Sequence, residues 1–364
     1  MTTPRAQTHF IAFYSYKGGV GRTLALANCA RALAARGRTV TIIDLDLEAP
    51  GLEAFDAFRP VGEASVGKDA KDAPRPPLAG FAEYIADCRK SGPPPSLASY
   101  VHRCKGEPGD KGVVYLMPAG KRGEAAYRDI LVFDWDRFYR DENGYRIMEN
   151  LRGHIAHDLG GNEKSPIKPD YVLIDSRTGL SETGGIATHQ LADLVVMLFS
   201  LNRQNLEGTQ GVHDSLTKLP NPPKMLLVAS PFPDLGDAAE TKGTLLHRRL
   251  EFVRTRLVQA VNAAQPERIP YRPVLSLEER IAMDQEEDRR SDLHLPYARL
   301  LDLILKTLNA PDFYLDAAAE AMRQNRLGEA RARLEDGLKM HPEHPPSQEC
   351  SPTWRATAVH RAST

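Results

Sequence analysis

Cysteine is scarce in this chain and carries no pattern. Its 364 residues hold four, Cys29, Cys88, Cys104 and Cys350, and no two form a C-x-x-C pair. Such scatter argues against a zinc site or a disulfide framework and fits a reducing cytoplasm. Long apolar runs are also missing. No stretch approaches the roughly 18 residues of a membrane-spanning helix, and Phe10–Tyr14 is too short and lacks the basic leader of a secretory signal. A soluble, cytoplasmic protein without membrane contact is expected. Excess charge is missing too. The net charge is −1, so global charge gives no argument for a nucleic acid or an anionic membrane as partner. A local basic patch stays open. What the chain does have is 41% hydrophobic residues, enough for a sizeable globular core.

The densest signal is Tyr16-Lys17-Gly18-Gly19-Val20-Gly21-Arg22-Thr23. An apolar run, His9–Tyr14, precedes it, and an Ala/Leu-rich run, Leu24 to Ala35, follows. Strand, glycine loop and helix start form the layout of a phosphate-binding loop. The glycines let backbone N–H groups approach an anion, and the helix adds its N-terminal dipole. Thr23 offers a hydroxyl to Mg²⁺. The standard pattern G-x-x-x-x-G-K-[ST] is broken twice: Tyr16 replaces the first Gly and Arg22 the Lys.

A buried strand, Thr39–Ile43, ends at Asp44-Leu45-Asp46, and Asp170–Asp175 is four apolar residues closed by a second acid. Carboxylates at the carboxyl ends of parallel strands can meet Mg²⁺ or water, because ligands sit at that edge of an open sheet. A capped turn before Pro50-Gly51 is the alternative for Asp44 and Asp46. Arg177 could contact a phosphate, pair with an acidic residue, or reach a partner subunit. Asn202 caps the helix after the strand Asp193–Ser200 or reads an adenine edge; Asn205 is an equal cap candidate. Pro231 to Asp234, after the strand Lys224–Ser230, is a base-contact candidate.

The loop resembles the deviant Walker A motif, K-G-G-x-G-K-[ST], of the ParA/MinD family of dimerising P-loop ATPases. With Arg22 and the segments Leu47–Leu52 and Asp175–Gly185, it is similar to the KGGVGR subgroup. The resemblance covers residues 8 to 310. It implies an α/β fold, a mostly parallel doubly wound sheet, binding ATP and Mg²⁺. Nucleotide contacts fall to Lys17, Gly18, Gly19, Val20, Gly21, Arg22, Thr23 and Leu24, with Asn202 and Pro231 near the base. Metal contacts fall to Thr23, Asp44 and Asp175. Asp46 resembles the residue that orients the attacking water. Lys17 resembles the lysine that crosses to the nucleotide of a second subunit.

The remaining chain is read from its punctuation. Residues 59–112 form a mobile insertion, Pro/Gly-rich at 59–78, with a short helix at Ala79–Cys88. Val113–Met117 is a strand, and Tyr145–Asp158 has helical spacing. Leu245–Ala264 is a long helix whose basic residues form a solvated face or a DNA-binding one. Ile269–Leu275, with two prolines, is an edge strand, and Leu293–Leu308 a closing helix. Residues 311–344 resemble one tetratricopeptide repeat, a short C-terminal helical extension able to dock a partner. Residues 345–364 are expected to be disordered.

The expected function is a slow, Mg-dependent ATP hydrolase. It acts as a nucleotide-switched homodimer regulating a partner protein, in a bacterial signalling or conflict system. Alternatives are a binding-only pseudo-ATPase scaffold, a DNA- or plasmid-partitioning ATPase, and, least supported, a phosphotransferase or amidoligase.

Overall fold

The computed structural model describes residues 7–61, 77–94, 96–160, 166–179, 181–235, 241–277, 280–284, 290 and 292–340. The expected tail, 345–364, and the proline-rich part of the insertion at 62–76 lie outside the described residues.

Residues Thr8–Leu301 form one compact unit. Its centre is a sheet of eight strands: β1 (His9–Ser15), β2 (Thr39–Asp44), β3 (His102–Arg103), β4 (Val113–Met117), β5 (Tyr171–Asp175), β6 (Leu194–Phe199), β7 (Lys224–Phe232) and β8 (Glu267–Pro270). Their order is β3-β4-β2-β5-β1-β6-β7-β8. Only the β3–β4 pairing is antiparallel. The inner strands are continuous apolar runs, as strands buried on both faces must be; all of β5 and β6 is buried. The chain lays β2, β4 and β5 on one side of β1, then β6, β7 and β8 on the other. The reversal falls at the carboxyl end of β1, where an open parallel sheet leaves a crevice.

Helix α1 (Arg22–Ala35) leaves that point. It is buried on nearly every side, from Ala25 to Ala34. Its polar side chains therefore need internal partners. Asn28 donates to the Leu24 carbonyl and accepts the Met283 N–H. Arg31 is held by Asp110 and Asp284.

Between β2 and β5 come α2 (Phe81–Ser91), α3 (Ala125–Leu131), α4 (Trp135–Asp141) and α5 (Gly144–His157). Phe81, Phe133, Trp135 and Phe138 pack ring on ring. The described part of the expected insertion is thus ordered structure: α2 buries Phe81, Tyr84 and Ile85, and β3 edges the sheet. Two residues are too few for β3 to show an alternating pattern.

After β5, α6 (Glu182–Gly185) runs into a π-helical turn (Ile186–Leu191), and α7 (Arg203–Leu216) follows β6. Helix α8 (Leu245–Arg256) stops eight residues before the expected Ala264. The chain turns there so that Val261 N–H and the Asn262 amide satisfy β7 backbone at Met225 and Leu227. The expected strand Ile269–Leu275 is overturned beyond Pro270. Pro273 has no N–H for a ladder and its fixed φ suits a helix start, so it opens α9 (Pro273–Leu277). Helix α10 (Leu295–Leu308) closes the series.

A second compact unit takes in the described chain from Asp302 to Met340. In it α11 (Pro311–Arg323) and α12 (Leu327–Met340) pack side by side, burying Ala318, Ala321, Ala330 and Leu334. Asn325 turns between them in the left-handed region, φ 56°.

Candidate functional site

The loop after β1 leaves its outer side open. Gly19 and Gly21 have φ of 77° and 75°, conformations an L side chain resists. A Cβ at Gly18 or Gly19 would meet nothing within 4 Å. Gly21 caps α1 without a side-chain hydrogen bond, so the first N–H groups of a buried helix point at this space. Such a helix end is an anion site. The loop is braced from below: Ser230 Oγ donates to the Val20 carbonyl at 2.8 Å. Tyr16, in place of the usual glycine, lies against α7. A Cβ at Gly208 would come within 2.1 Å of its ring, so only glycine fits there.

Beside the loop three carboxylates converge. Asp44 and Asp175 are register partners at the ends of β2 and β5. The Asp46 N–H donates to Asp44 Oδ1 at 3.0 Å. Arg22, 6% exposed, turns into this cluster. Its Nε donates to Asp175 Oδ1 at 2.5 Å and its Nη2 to Asp46 Oδ2 at 2.6 Å. The Thr23 hydroxyl takes the other oxygen of Asp175 at 2.7 Å. Two buried atoms are left without a hydrogen-bond partner, Arg22 Nη1 and Asp44 Oδ2. Burial, and then the neighbouring Asp175 charge, holds the Asp44 carboxyl well above the usual carboxylate range. Burial also raises Asp175, against the pull of Arg22 and the Thr23 hydroxyl.

Over the loop opens a cavity of about 560 Å³, a size suited to a nucleotide. It is lined by Gly18 to Leu24 and Asp46, and also by Phe55, Pro231, Pro270, Tyr271, Arg272, Leu275 and Tyr297.

The structure brings Gly18, Gly19, Val20, Gly21, Arg22, Thr23, Leu24, Asp46 and Pro231 to this one cavity, with Asp175 joined to it through Arg22 and Thr23 and Asp44 through the Asp46 N–H. Lys17 bonds instead to the Gln204 side chain on α7. Asn202 does not line the cavity. Its Oδ1 accepts the Asn205 N–H at 2.9 Å, the cap reading, and its amide donates to Ser200. Arg177 pairs with Glu48 at 2.5 Å, linking the loops after β2 and β5. Sequence reading missed Phe55, Tyr271, Arg272 and Tyr297. They come from three separate segments, and no local pattern marks them.

Thr23, Asp44, Asp46 and Asp175 are oxygen donors of the kind a hard divalent cation takes. Among the described residues, no group of three or more acidic, His or Cys side chains is arranged to hold a metal unaided.

Residues 11–174 match the CobQ/CobB/MinD/ParA nucleotide binding domain family. No curated protein matches the chain. Among solved structures, a protein assigned to plasmid partition in Borrelia burgdorferi B31, bound to AMPPNP, superposes with a TM-score of 0.54 at 15% identity. The match covers 82% of this chain and 99% of that one. The septum site-determining protein MinD from Pyrococcus horikoshii, complexed with Mg-ADP, gives 0.51 at 17% over 82% and 96%. The fold is that of the ParA/MinD-like P-loop proteins. Among the described residues of this ParA/MinD-like chain, no helix is long and apolar enough to cross a membrane.

Proposed function

We propose that the chain binds ATP with Mg²⁺ in the cavity over Gly18–Leu24 and hydrolyses it slowly. One observation carries this reading: the glycine loop, the start of α1, Thr23, Asp46 and the Asp44/Asp175 pair meet at one end of one mostly parallel sheet. Backbone N–H groups of the loop hold the phosphates, and Thr23 with Asp44 and Asp175 hold the metal side. Bound Mg²⁺ would neutralise charge developing on the transferred phosphoryl group. Asp46, at the cavity wall, orients the attacking water. Pro231 lies toward the base. Support also comes from the family match at 11–174 and from the nucleotides bound in the two superposing proteins.

Lys17 is assigned to a second copy's nucleotide in an ATP-dependent homodimer, and α11–α12, the tetratricopeptide-like pair, to a protein partner in signalling or conflict. The decisive experiment measures ATP binding and turnover in wild type and Asp46→Ala. Turnover lost with binding kept supports hydrolysis. Turnover absent from both, with tight binding, supports a second reading: a binding-only scaffold. The specific observation favouring that alternative is Arg22, which ties up Asp46. Sedimentation of wild type and Lys17→Ala with and without ATP tests the dimer. Assembly unchanged in the variant removes Lys17 from it.

A further inference from the structure

The guanidinium of Arg22 stands where the proposed chemistry needs a metal. It bridges acids from two different segments, Asp46 after β2 and Asp175 on β5; it is buried with Asp175, while Asp46 is partly exposed. Thr23 closes the remaining oxygen of Asp175. Among the described residues, no group of three or more acidic, His or Cys side chains is arranged to hold a metal. Yet the contact set is unfinished, since Arg22 Nη1 and Asp44 Oδ2 are buried without partners.

The cluster needs a positive charge. Three carboxylates share it, and Asp44 and Asp175 are at most 1% exposed. Leaving such groups charged and unpaired is costly, and the Arg22 guanidinium is the cation that meets two of them, Asp46 and Asp175. Arg22 also follows Gly21 directly and lines the cavity. Phosphates seated against the loop therefore lie within reach of the same side chain. A guanidinium fork binds a phosphate as well as it binds a carboxylate.

We propose that Arg22 is a resident counter-ion. In the nucleotide-free chain it holds Asp46 and Asp175 in place of a divalent cation, so metal enters with the nucleotide and not before it. This rests on the reading that the site takes a nucleotide with Mg²⁺. Phosphates draw the guanidinium off the acids, and the acids it leaves become available to the ion that accompanies them.

The test titrates Mn²⁺ by electron paramagnetic resonance, without nucleotide, into wild type, Arg22→Met and Arg22→Lys. Removing the counter-ion tightens Mn²⁺ binding about tenfold or more in Arg22→Met. Arg22→Lys keeps a cation that cannot bridge both acids, so it falls between the two. That second variant decides the matter if Arg22→Met does not fold. Equal Mn²⁺ affinity in wild type and the folded variants overturns the proposal, as does tight Mn²⁺ binding by nucleotide-free wild type. A fluorescent AMPPNP analogue is titrated into the same wild-type preparation. Its failure to bind sinks the nucleotide reading, while the nucleotide-free Mn²⁺ comparison still decides the role of Arg22.

Discussion

Helix α1 carries two buried arginines, Arg22 and Arg31, nine residues apart and so on opposite faces. Each is held by two aspartates from other segments, and the two clusters differ in how completely they close. Arg31 donates Nε to both oxygens of Asp284, at 3.0 and 3.1 Å, and both terminal nitrogens to Asp110, at 2.6 and 2.9 Å. Arg22 uses two of its three nitrogens and leaves a third buried without a partner. One cluster is a finished rivet that pins the loop before β4 and the 281–284 turn to α1. The other sits at a cavity wall with its bonding incomplete. Saturated buried ion pairs fix a fold; an unsaturated pair beside open space is placed to exchange partners.

Breaking the rivet gives the largest effect. Arg31→Met leaves two partly buried carboxylates without their cation and costs about 3–5 kcal/mol in urea unfolding. Removing an acid from the other cluster moves chemistry instead. Asp46→Ala lowers ATP turnover about 10²-fold or more, with ATP affinity nearly unchanged. In the control Asp110→Asn, stability falls and turnover per folded molecule does not. An Asp110→Asn enzyme that is folded but inactive would erase the distinction between the clusters.

A smaller effect follows pH. Burial pushes the Asp284 carboxyl up to about 6, against the pull of Arg31, from an ordinary value of 3.8. The folded chain then binds this proton more readily than the unfolded chain. Stability therefore falls as pH rises from 3.8 to about 6, by on the order of 3 kcal/mol from this group. Thermal unfolding across that window loses this slope in Asp284→Asn. Smallest is the pair between the loops after β2 and β5. Glu48 is more than half exposed, so Arg177→Ala changes stability by about 1 kcal/mol or less in denaturant titration.

The strands and the loop were legible because their signals are local. Val113–Met117 was read to the residue, and the apolar runs ending in Asp44 and Asp175 were found with their acids. Local pattern failed where long-range contacts decide. Residues 257–264 keep helical composition, yet they turn to satisfy β7. Residues 271–275 are apolar enough for a strand, yet Pro273 starts a helix. In the site, identity was legible and direction was not. Arg22 was read as a phosphate contact; that its guanidinium turns to Asp46 and Asp175 depends on β2 and β5 lying side by side. The lining residues Phe55, Tyr271, Arg272 and Tyr297 meet only once the sheet has formed.

The most direct measurement watches both arginines together. In one ¹⁵N spectrum of the side-chain Nε–H groups, assigned by Arg22→Lys and Arg31→Lys, AMPPNP with Mg²⁺ is added to the wild-type chain. The Arg22 resonance shifts as its bond to Asp175 is exchanged for phosphate, and the Arg31 resonance stays in place. Bound nucleotide with the Arg22 resonance unmoved would contradict the account.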